Sequence, residues 1–151
     1  MNIRKIDDNE KMRFIDLLLI ADEQLSMIER YLDRGEMFAL YDEDVKSVCV
    51  VTREEENVFE LKNIATYPQY QRQGYGLMLV SHICDHFKGA GRRTMYVGTG
   101  DSPVTLNFYT KCGFVRSHTV KDFFVDNYDH PIYENGRQLV DMVYLKKDLG
   151  D

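Results

Sequence analysis

Gln71-Arg72-Gln73-Gly74-Tyr75-Gly76 is the stretch of this 151-residue chain that decides its fold. It lies between a strand-like run, Val58 to Thr66, and an apolar helical run that begins at Leu77. Two glycines let the backbone approach a ligand closely, and the first amides of a helix have no internal acceptors. Because Arg72 adds a fixed positive charge, the turn is a candidate cradle for a pyrophosphate group.

This turn differs from two common phosphate-binding turns. It lacks the Gly-Lys-Ser/Thr ending of a P-loop, which argues against a nucleoside triphosphatase. It also lacks the third glycine of the dinucleotide fingerprint, because Leu79 stands at that position. On this stretch alone, a strand-to-helix connection that binds no ligand stays an open alternative.

A second glycine-bearing stretch follows at Asn107-Phe108-Tyr109-Thr110-Lys111-Cys112-Gly113-Phe114. It predicts a short amphipathic helix that ends on Gly113 as a left-handed cap, followed by a strand. With both stretches in place, the chain resembles the GNAT superfamily of acetyl-CoA-dependent N-acetyltransferases. Gln71, Gly74 and Gly76 match the family pattern Gln/Arg-x-x-Gly-x-Gly/Ala. The later tyrosine-bearing segment of the family is matched by Asn107, Tyr109, Lys111, Gly113 and Phe114. Asn107 stands two residues before the tyrosine.

The resemblance implies an α/β (α+β) fold, with a mixed six- or seven-stranded sheet, helices on both faces and splayed central strands. Acetyl-CoA would lie in the V-shaped gap between strands four and five. The order of strand-like and helical runs fits mixed α/β layers around one sheet, and the length fits a single domain over 1–151.

Apolar periodicity and turn residues place the individual elements. Strands are predicted over 3–6, 37–40, 47–52, Val58 to Thr66, 94–97, 114–126 and 139–145. Helices are predicted from Asp8 or Asn9, over 23–32, over 74–88 with Gly89 and Gly91 behind it, and from Ser102-Pro103. Residues 127–137 are predicted to form a loop.

Composition excludes several classes of protein. A net charge of −6 without a basic stripe argues against nucleic-acid binding. No apolar run approaches the ~20 residues of a membrane span, and the N-terminus has no signal-like core. Three scattered cysteines are typical of reduced thiols. We therefore expect a cytoplasmic protein that contacts neither nucleic acid nor membrane.

Acetyl transfer requires a neutral amine, although an alkyl ammonium ion has a pKa of about 10.4. It also requires a donor for the developing oxyanion and a proton for the departing thiolate. The resemblance implies that Tyr109 supplies this proton. The alternative is that Tyr109 is an aromatic core residue beside Phe108.

The base and the oxyanion donor are expected on the central strand. Glu60 lies where the histone-acetylating branch of the family places its catalytic glutamate, whereas many relatives have their acid at the position of Lys62. The alternative for Glu60 is an exposed strand charge paired with Lys62. The resemblance places a strand irregularity near 64–66, with free main-chain groups for the pantetheine and the thioester.

The remaining predicted contacts to the cofactor are side chains of the second stretch. Asn107 would hydrogen-bond the pantetheine chain, and Lys111 would meet a phosphate of CoA. The predicted cofactor-binding residues are Ile64, Ala65, Thr66, Gln71, Arg72, Gln73, Gly74, Tyr75, Gly76, Leu77, Asn107 and Lys111. No metal site is predicted, because His82 and His86 lack the glutamate of a zinc-protease helix.

The sequence therefore predicts an N-acetyltransferase that acts on a primary amine of a small molecule, by direct attack in a ternary complex. A silent CoA-binding sensor, a protein N-terminal or lysine acetyltransferase, and a longer-chain acyltransferase stay open. Residues of the first two helices and of loop 127–137 are expected to select the acceptor. The family also makes a homodimer possible.

Overall fold

Seven strands form one sheet in the computed structural model, which describes residues 1–89 and 93–150. The strands of this sheet are β1 (Asn2–Ile6), β2 (Glu36–Asp42), β3 (Asp44–Glu55), β4 (Val58–Thr66), β5 (Thr94–Gly100), β6 (Val115–Val120) and β9 (Met142–Asp148). A separate hairpin contains β7 (Tyr133–Glu134) and β8 (Arg137–Gln138). The sheet order is β1-β2-β3-β4-β5-β9-β6; only β4 and β5 pair in parallel.

Five α-helices accompany the sheet in the described residues. They are α1 (Ile15–Ala21), α2 (Leu25–Ile28), α3 (Tyr75–Phe87), α4 (Pro103–Lys111) and α5 (Phe123–Asn127). The sheet separates two hydrophobic clusters: one contains Leu79 and Ile83 of α3, and the other contains Leu17 and Leu18 of α1. Both faces of the sheet are therefore covered by helices, which confirms the predicted fold class.

Lys62 forms a β-bulge in the central strand. Leu61 pairs with Val51 of β3, but the next paired residue is Asn63, opposite Val50. One extra residue reverses the face to which odd-numbered side chains point. Odd-numbered side chains of β4 therefore pack in the α3-side cluster before the bulge and in the α1-side cluster after it.

Strands β4 and β5 separate half-way along β4. Their paired residues run only from Val58 opposite Thr94 to Leu61 opposite Val97. Beyond this point β5 continues beside β9 as far as Gly100, so the edge of β4 over 62–66 has no strand next to it. The predicted splay of the central strands is confirmed.

The helical content before β2 is smaller than predicted. The helix expected from Asp8 or Asn9 begins as a 3-10 helix over Asp8–Phe14 and becomes α-helical only at Ile15. The helix expected over 23–32 is α-helical only over Leu25–Ile28. Here the buried Lys11 ammonium binds the carbonyls of Leu32, Asp33 and Gly35, which lie in turns beyond the helix.

The predicted strand over 114–126 is also wrong in its second half. Strand β6 ends at Val120, and Asp122 takes a left-handed conformation (φ 57°) and starts α5. Phe124 of α5 then packs with Ile132 and Leu139 in a third small cluster.

The predicted loop over 127–137 contains the β7–β8 hairpin. Its turn is Asn135-Gly136, where both residues have positive φ, as a two-residue hairpin turn requires. The strand expected over 139–145 starts later and ends later, at Met142–Asp148.

The elements around the first glycine stretch lie close to their predicted positions. β4 has its predicted bounds, and α3 spans Tyr75–Phe87 within the predicted 74–88. Helix α4 starts at Pro103, directly after Ser102, although the Ser102 side chain makes no capping hydrogen bond. Gly91, predicted to lie behind α3, is outside the described residues.

Candidate active site

A cavity of about 490 Å³ occupies the gap between β4 and β5. Its sheet wall is formed by residues 61–66 of β4 and 97–100 of β5. Residues 20–23 at the end of α1, Tyr109 of α4 and the segment from α5 to β7 form the remaining walls. The separation of the two strands thus creates a site whose walls come from segments distant in the sequence.

The free edge of β4 presents backbone amides to this cavity. The Tyr67 amide donates to the Lys46 carbonyl of β3 at 3.2 Å, which fixes the direction of alternate amides along the strand. Since successive amides of a strand point to opposite edges, those of Ile64 and Thr66 face the gap and that of Ala65 faces β3. The irregularity expected at 64–66 lies instead at Lys62, because the extra residue of the bulge is there.

The loop before α3 is open at its tip. Arg72 and Gly74 have positive φ, 63° and 88°, and a Cβ on Gly74 would meet no atom within 4 Å. The first amide with an acceptor inside the helix is that of Met78, which donates to the Gly74 carbonyl at 3.0 Å. The amides of residues 75–77 precede it and are the groups that a helix N-terminus offers to an anion.

Side chains hold this loop in place. Gln71 Nε2 donates to the Thr66 carbonyl at 3.1 Å, and Gln73 Nε2 donates to the Gln69 carbonyl at 3.3 Å. The Tyr75 hydroxyl donates to Asp42 of β2 at 2.9 Å. The start of α3 is therefore tied both to β2 and to the end of β4.

Gly76 has a packing role that its motif does not reveal. A Cβ at this position would lie 3.3 Å from Cζ of Phe108 on α4. Its missing side chain therefore leaves room for a phenyl ring, whereas Gly74 is required by its positive φ.

Tyr109 lies in the wall of the cavity with 8% of its surface exposed. Its ring packs edge-on against Phe108 and Phe114. Burial raises the pKa of Tyr109 well above the ordinary value, and the nearby Cys112 and Glu134 add to this rise. The phenol therefore keeps its proton at neutral pH, as a proton donor must.

The other residues predicted on α4 lie elsewhere. Asn107 and Lys111 are exposed on this helix. The residues that α4 contributes to the cavity wall are Val104, Thr105 and Tyr109. The first two were missed, because they precede the motif and nothing in the sequence around them indicates a cavity wall.

Glu60 is enclosed by polar neighbours. Its Oε2 lies 3.0 Å from Lys62 Nζ and accepts a hydrogen bond from the Tyr144 hydroxyl at 3.2 Å. Its side chain is 12% exposed, so it is not the exposed strand charge of the alternative interpretation, although the ion pair with Lys62 is present. Lys62, and not Glu60, lies in the cavity wall.

A lid closes the side of the cavity opposite to the sheet. We define the lid as residues 122–139, which include α5 and the β7–β8 hairpin. Three lid residues bind the segment after α1: Tyr128 donates to Asp22, the Asp129 amide donates to Gln24, and His130 contacts Glu23 at 3.0 Å. The segments that were predicted to select the acceptor thus meet each other above the cavity.

Residues 33–116 match the model of a protein family described as "Acetyltransferase (GNAT) domain".

The chain belongs to the GNAT acetyltransferase family.

Relatives match this GNAT chain over nearly its whole length. It is 35% identical to the uncharacterized N-acetyltransferase YvbK of Bacillus subtilis, over 99% of this chain and 100% of the relative. A solved Bacillus subtilis acetyltransferase in complex with CoA is 34% identical, with a TM-score of 0.86 and 97% of both chains covered. A GNAT acetyltransferase of Elizabethkingia anophelis with acetyl-CoA bound is 32% identical, with a TM-score of 0.85 and 96% and 95% of the two chains covered.

These matches confirm the predicted family and the predicted enzyme class, an acyltransferase. The two solved GNAT structures hold acetyl-CoA or CoA, the cosubstrate that the sequence predicts and its thiol product. The roles of individual residues and the homodimer stay predictions.

The described part of the GNAT chain has neither a membrane-spanning helix nor a cluster of metal-binding side chains. Over 1–89 and 93–150, no helix has the length and apolar character to cross a membrane. In the same residues, no group of three or more His, Cys, Asp or Glu side chains is arranged to hold a metal ion. His82 and His86 are exposed on α3.

Proposed function

We propose that this GNAT protein transfers the acetyl group of acetyl-CoA to a primary amine of a small molecule, by direct attack in a ternary complex. The observation that carries the proposal is the cavity between β4 and β5, which connects a free edge of backbone amides with the buried phenol of Tyr109. The cavity has a volume of about 490 Å³ and lid residues form part of its wall, which favours a small acceptor over a protein.

The groups around the cavity fit an acetyl-CoA molecule. The open tip at Gly74 leaves space beside the amides of Tyr75, Gly76 and Leu77, which suits a pyrophosphate. In this proposal Gln71, Arg72 and Gln73 border the phosphates, and Lys111 contacts a further phosphate. Ile64 and Thr66 bind the pantetheine through the edge of β4, with Ala65 between them and Asn107 on the facing helix.

Acetyl-CoA, when bound, supplies an acetyl group activated as a thioester. The Ile64 amide is the donor that we assign to the oxygen on which negative charge develops, because it faces the gap directly after the bulge. Tyr109 donates its phenolic proton to the leaving sulfur. Burial raises the pKa of Tyr109, so the phenol is protonated before the reaction.

Glu60 is the base in this proposal. Its carboxylate lies behind Lys62 and outside the cavity wall, so the proton of the amine reaches it through water. The hydrogen bond from Tyr144 and the ion pair with Lys62 hold the carboxylate in one position.

Burial of the three cysteines as free thiols favours a reducing compartment, and we propose the cytoplasm.

Replacement of Tyr109 by Phe tests the proposed chemistry. We expect kcat for thiol release from acetyl-CoA to fall by about 10²-fold or more, with little change in CoA affinity by calorimetry. Tyr41→Phe, in β2 away from the cavity, is the matched control. If the wild type binds CoA but releases no thiol with any amine of a diverse panel, a CoA-binding sensor replaces the enzyme.

A further inference from the structure

The residues that line the cavity include three whose side-chain oxygens can accept further hydrogen bonds. We call this set the acceptor wall and define it as Asp22 after α1, Asn63 of β4 and Glu134 of the lid. None of the ion pairs between described residues includes Asp22 or Glu134. The wall therefore has negative charge without a matching cation from the described residues.

Asp22 is held in a fixed orientation by two phenols. The Tyr128 hydroxyl donates to its Oδ1 at 2.7 Å, and the Tyr31 hydroxyl donates to its Oδ2 at 3.1 Å. Burial raises the pKa of Asp22 against the lowering effect of these hydrogen bonds. A half-buried carboxylate without a cation is unfavourable unless a ligand supplies the countercharge.

Asn63 provides an independent observation of the same kind. It is 5% exposed, and its Nδ2 donates to the Leu18 carbonyl at 3.1 Å and to the Tyr31 hydroxyl at 3.0 Å. The carbonyl contact fixes which end of the amide is nitrogen, since a carbonyl cannot donate. Its Oδ1 is buried and has no hydrogen-bond partner among the described residues.

Glu134 repeats this pattern on the lid. Its Oε2 is buried and also has no partner among the described residues. Buried polar atoms are nearly always paired in folded proteins, so two unpaired acceptors in residues that line one cavity favour a ligand that brings donors.

The hydrogen-bond donors of this ligand must belong to a group that stays charged during the reaction. The amine that attacks the thioester has to be neutral, so a fixed carboxylate beside it would oppose the reaction by stabilising its ammonium form. The wall therefore suits a nitrogen that does not react. Apolar side chains of Ile20, Phe124 and Leu139 line the same cavity and suit a methylene chain.

We propose that the acceptor is an alkyl diamine or a longer polyamine. Its non-reacting ammonium binds the Asp22 carboxylate, with Asn63 Oδ1 and Glu134 Oε2 as further acceptors. This inference rests on the proposed N-acetyltransferase function and names the substrate class of that site.

The test compares diamines from 1,3-diaminopropane to 1,6-diaminohexane with the alkylamines of the same chain length. We expect kcat/KM to be about 10-fold or more higher for the best diamine than for its alkylamine, because a hydrogen bond to a charged group is lost in the latter. Equal values for each pair overturn the substrate class but leave the acetyltransferase intact. No thiol release with any amine, while CoA still binds, overturns both proposals.

The Asp22→Asn variant locates the effect. It is expected to remove the preference, so that kcat/KM for the diamine falls to the value for the alkylamine of the same variant, whereas Asp85→Asn, on the exposed face of α3, preserves the preference. An equal loss for both substrates would mean that Asp22 is only structural, and would overturn the inference. Should Asp22→Asn fail to fold, Glu134→Gln tests the same preference from the lid, and an unchanged preference there overturns it.

Discussion

The carboxylate of Glu60 and the ammonium of Lys62 lie 3.0 Å apart on a single strand. Glu60 belongs to the regular part of β4, whereas Lys62 is the extra residue of the bulge and disrupts the pairing of β4 with β3. The hydroxyl of Tyr144 on β9, the strand beyond β5, donates to the same carboxylate oxygen. Glu60 therefore lies at the point where the sheet opens.

Replacement of Glu60 by Gln tests whether this carboxylate is the base. We expect kcat to fall by about 10²-fold, with CoA affinity retained, because the amide cannot accept the proton of the amine. The measurement is thiol release under saturating acetyl-CoA, with Glu55→Gln at the exposed end of β3 as the control. An unchanged kcat would leave Glu60 with the structural role of a partner for Lys62.

The glycines with positive φ provide a matched pair of variants. Gly74→Ala and Gly136→Ala should each lower the free energy of unfolding by about 1 kcal/mol, since both residues have positive φ and neither Cβ would meet another atom. Only Gly74→Ala should also weaken CoA binding, as measured by calorimetry. Equal CoA affinities in the two variants would show that the loop before α3 is not the phosphate site.

Lys11 is expected to be important for stability. It is 2% exposed, and its ammonium donates to the carbonyls of Leu32 at 2.8 Å and Gly35 at 2.6 Å. Lys11→Met leaves these carbonyls without a donor and should lower the free energy of unfolding by about 3 kcal/mol in urea denaturation. Lys5→Met, which removes an exposed ion pair with Glu36, should cost less than about 1 kcal/mol.

His130 should titrate above its ordinary pKa of 6.5. Hydrogen bonds from its ring to Asp129 and Glu23 raise this pKa, because both ring nitrogens donate only in the charged form. The contribution of these contacts to lid attachment is then complete below pH 6.5 and lost as the pH rises through the raised pKa.

NMR titration of the His130 ring checks this prediction. Its midpoint should lie above 6.5 in the wild type and move down in Asp129→Asn and in Glu23→Gln. Asp126→Asn, in α5, should leave the midpoint unchanged. A wild-type midpoint at or below 6.5 would mean that the ring does not hold the lid in solution.

The central part of the fold was predictable because its signals are local. The strand Val58–Thr66 has alternating apolar residues and is followed by Pro68, and the glycine turn fixes the start of α3. The segment after Val120 was not predictable, because the left-handed conformation of Asp122 depends on a hydrogen bond from its amide to Asp141, a contact distant in sequence.

The candidate site likewise contains residues with a local sequence signal and residues that only distant contacts bring together. The residues that we propose to contact acetyl-CoA before α3 and on α4 belong to two short motifs and could be named from the sequence. The acceptor wall could not, because Asp22, Asn63 and Glu134 come from three separate elements and lie in no recognisable pattern. Only the fold brings them together: all three line the cavity, and the Tyr31 hydroxyl hydrogen-bonds both Asp22 and Asn63.

The lid has a small hydrophobic cluster of its own, made by Phe124, Ile132 and Leu139. Its contacts with the segment after α1 are polar, whereas the glycine turn and Tyr109 belong to other elements. We therefore expect that exchanging residues 122–139 for those of another GNAT protein would replace one wall of the proposed amine site and leave Tyr109 and the loop before α3 in place.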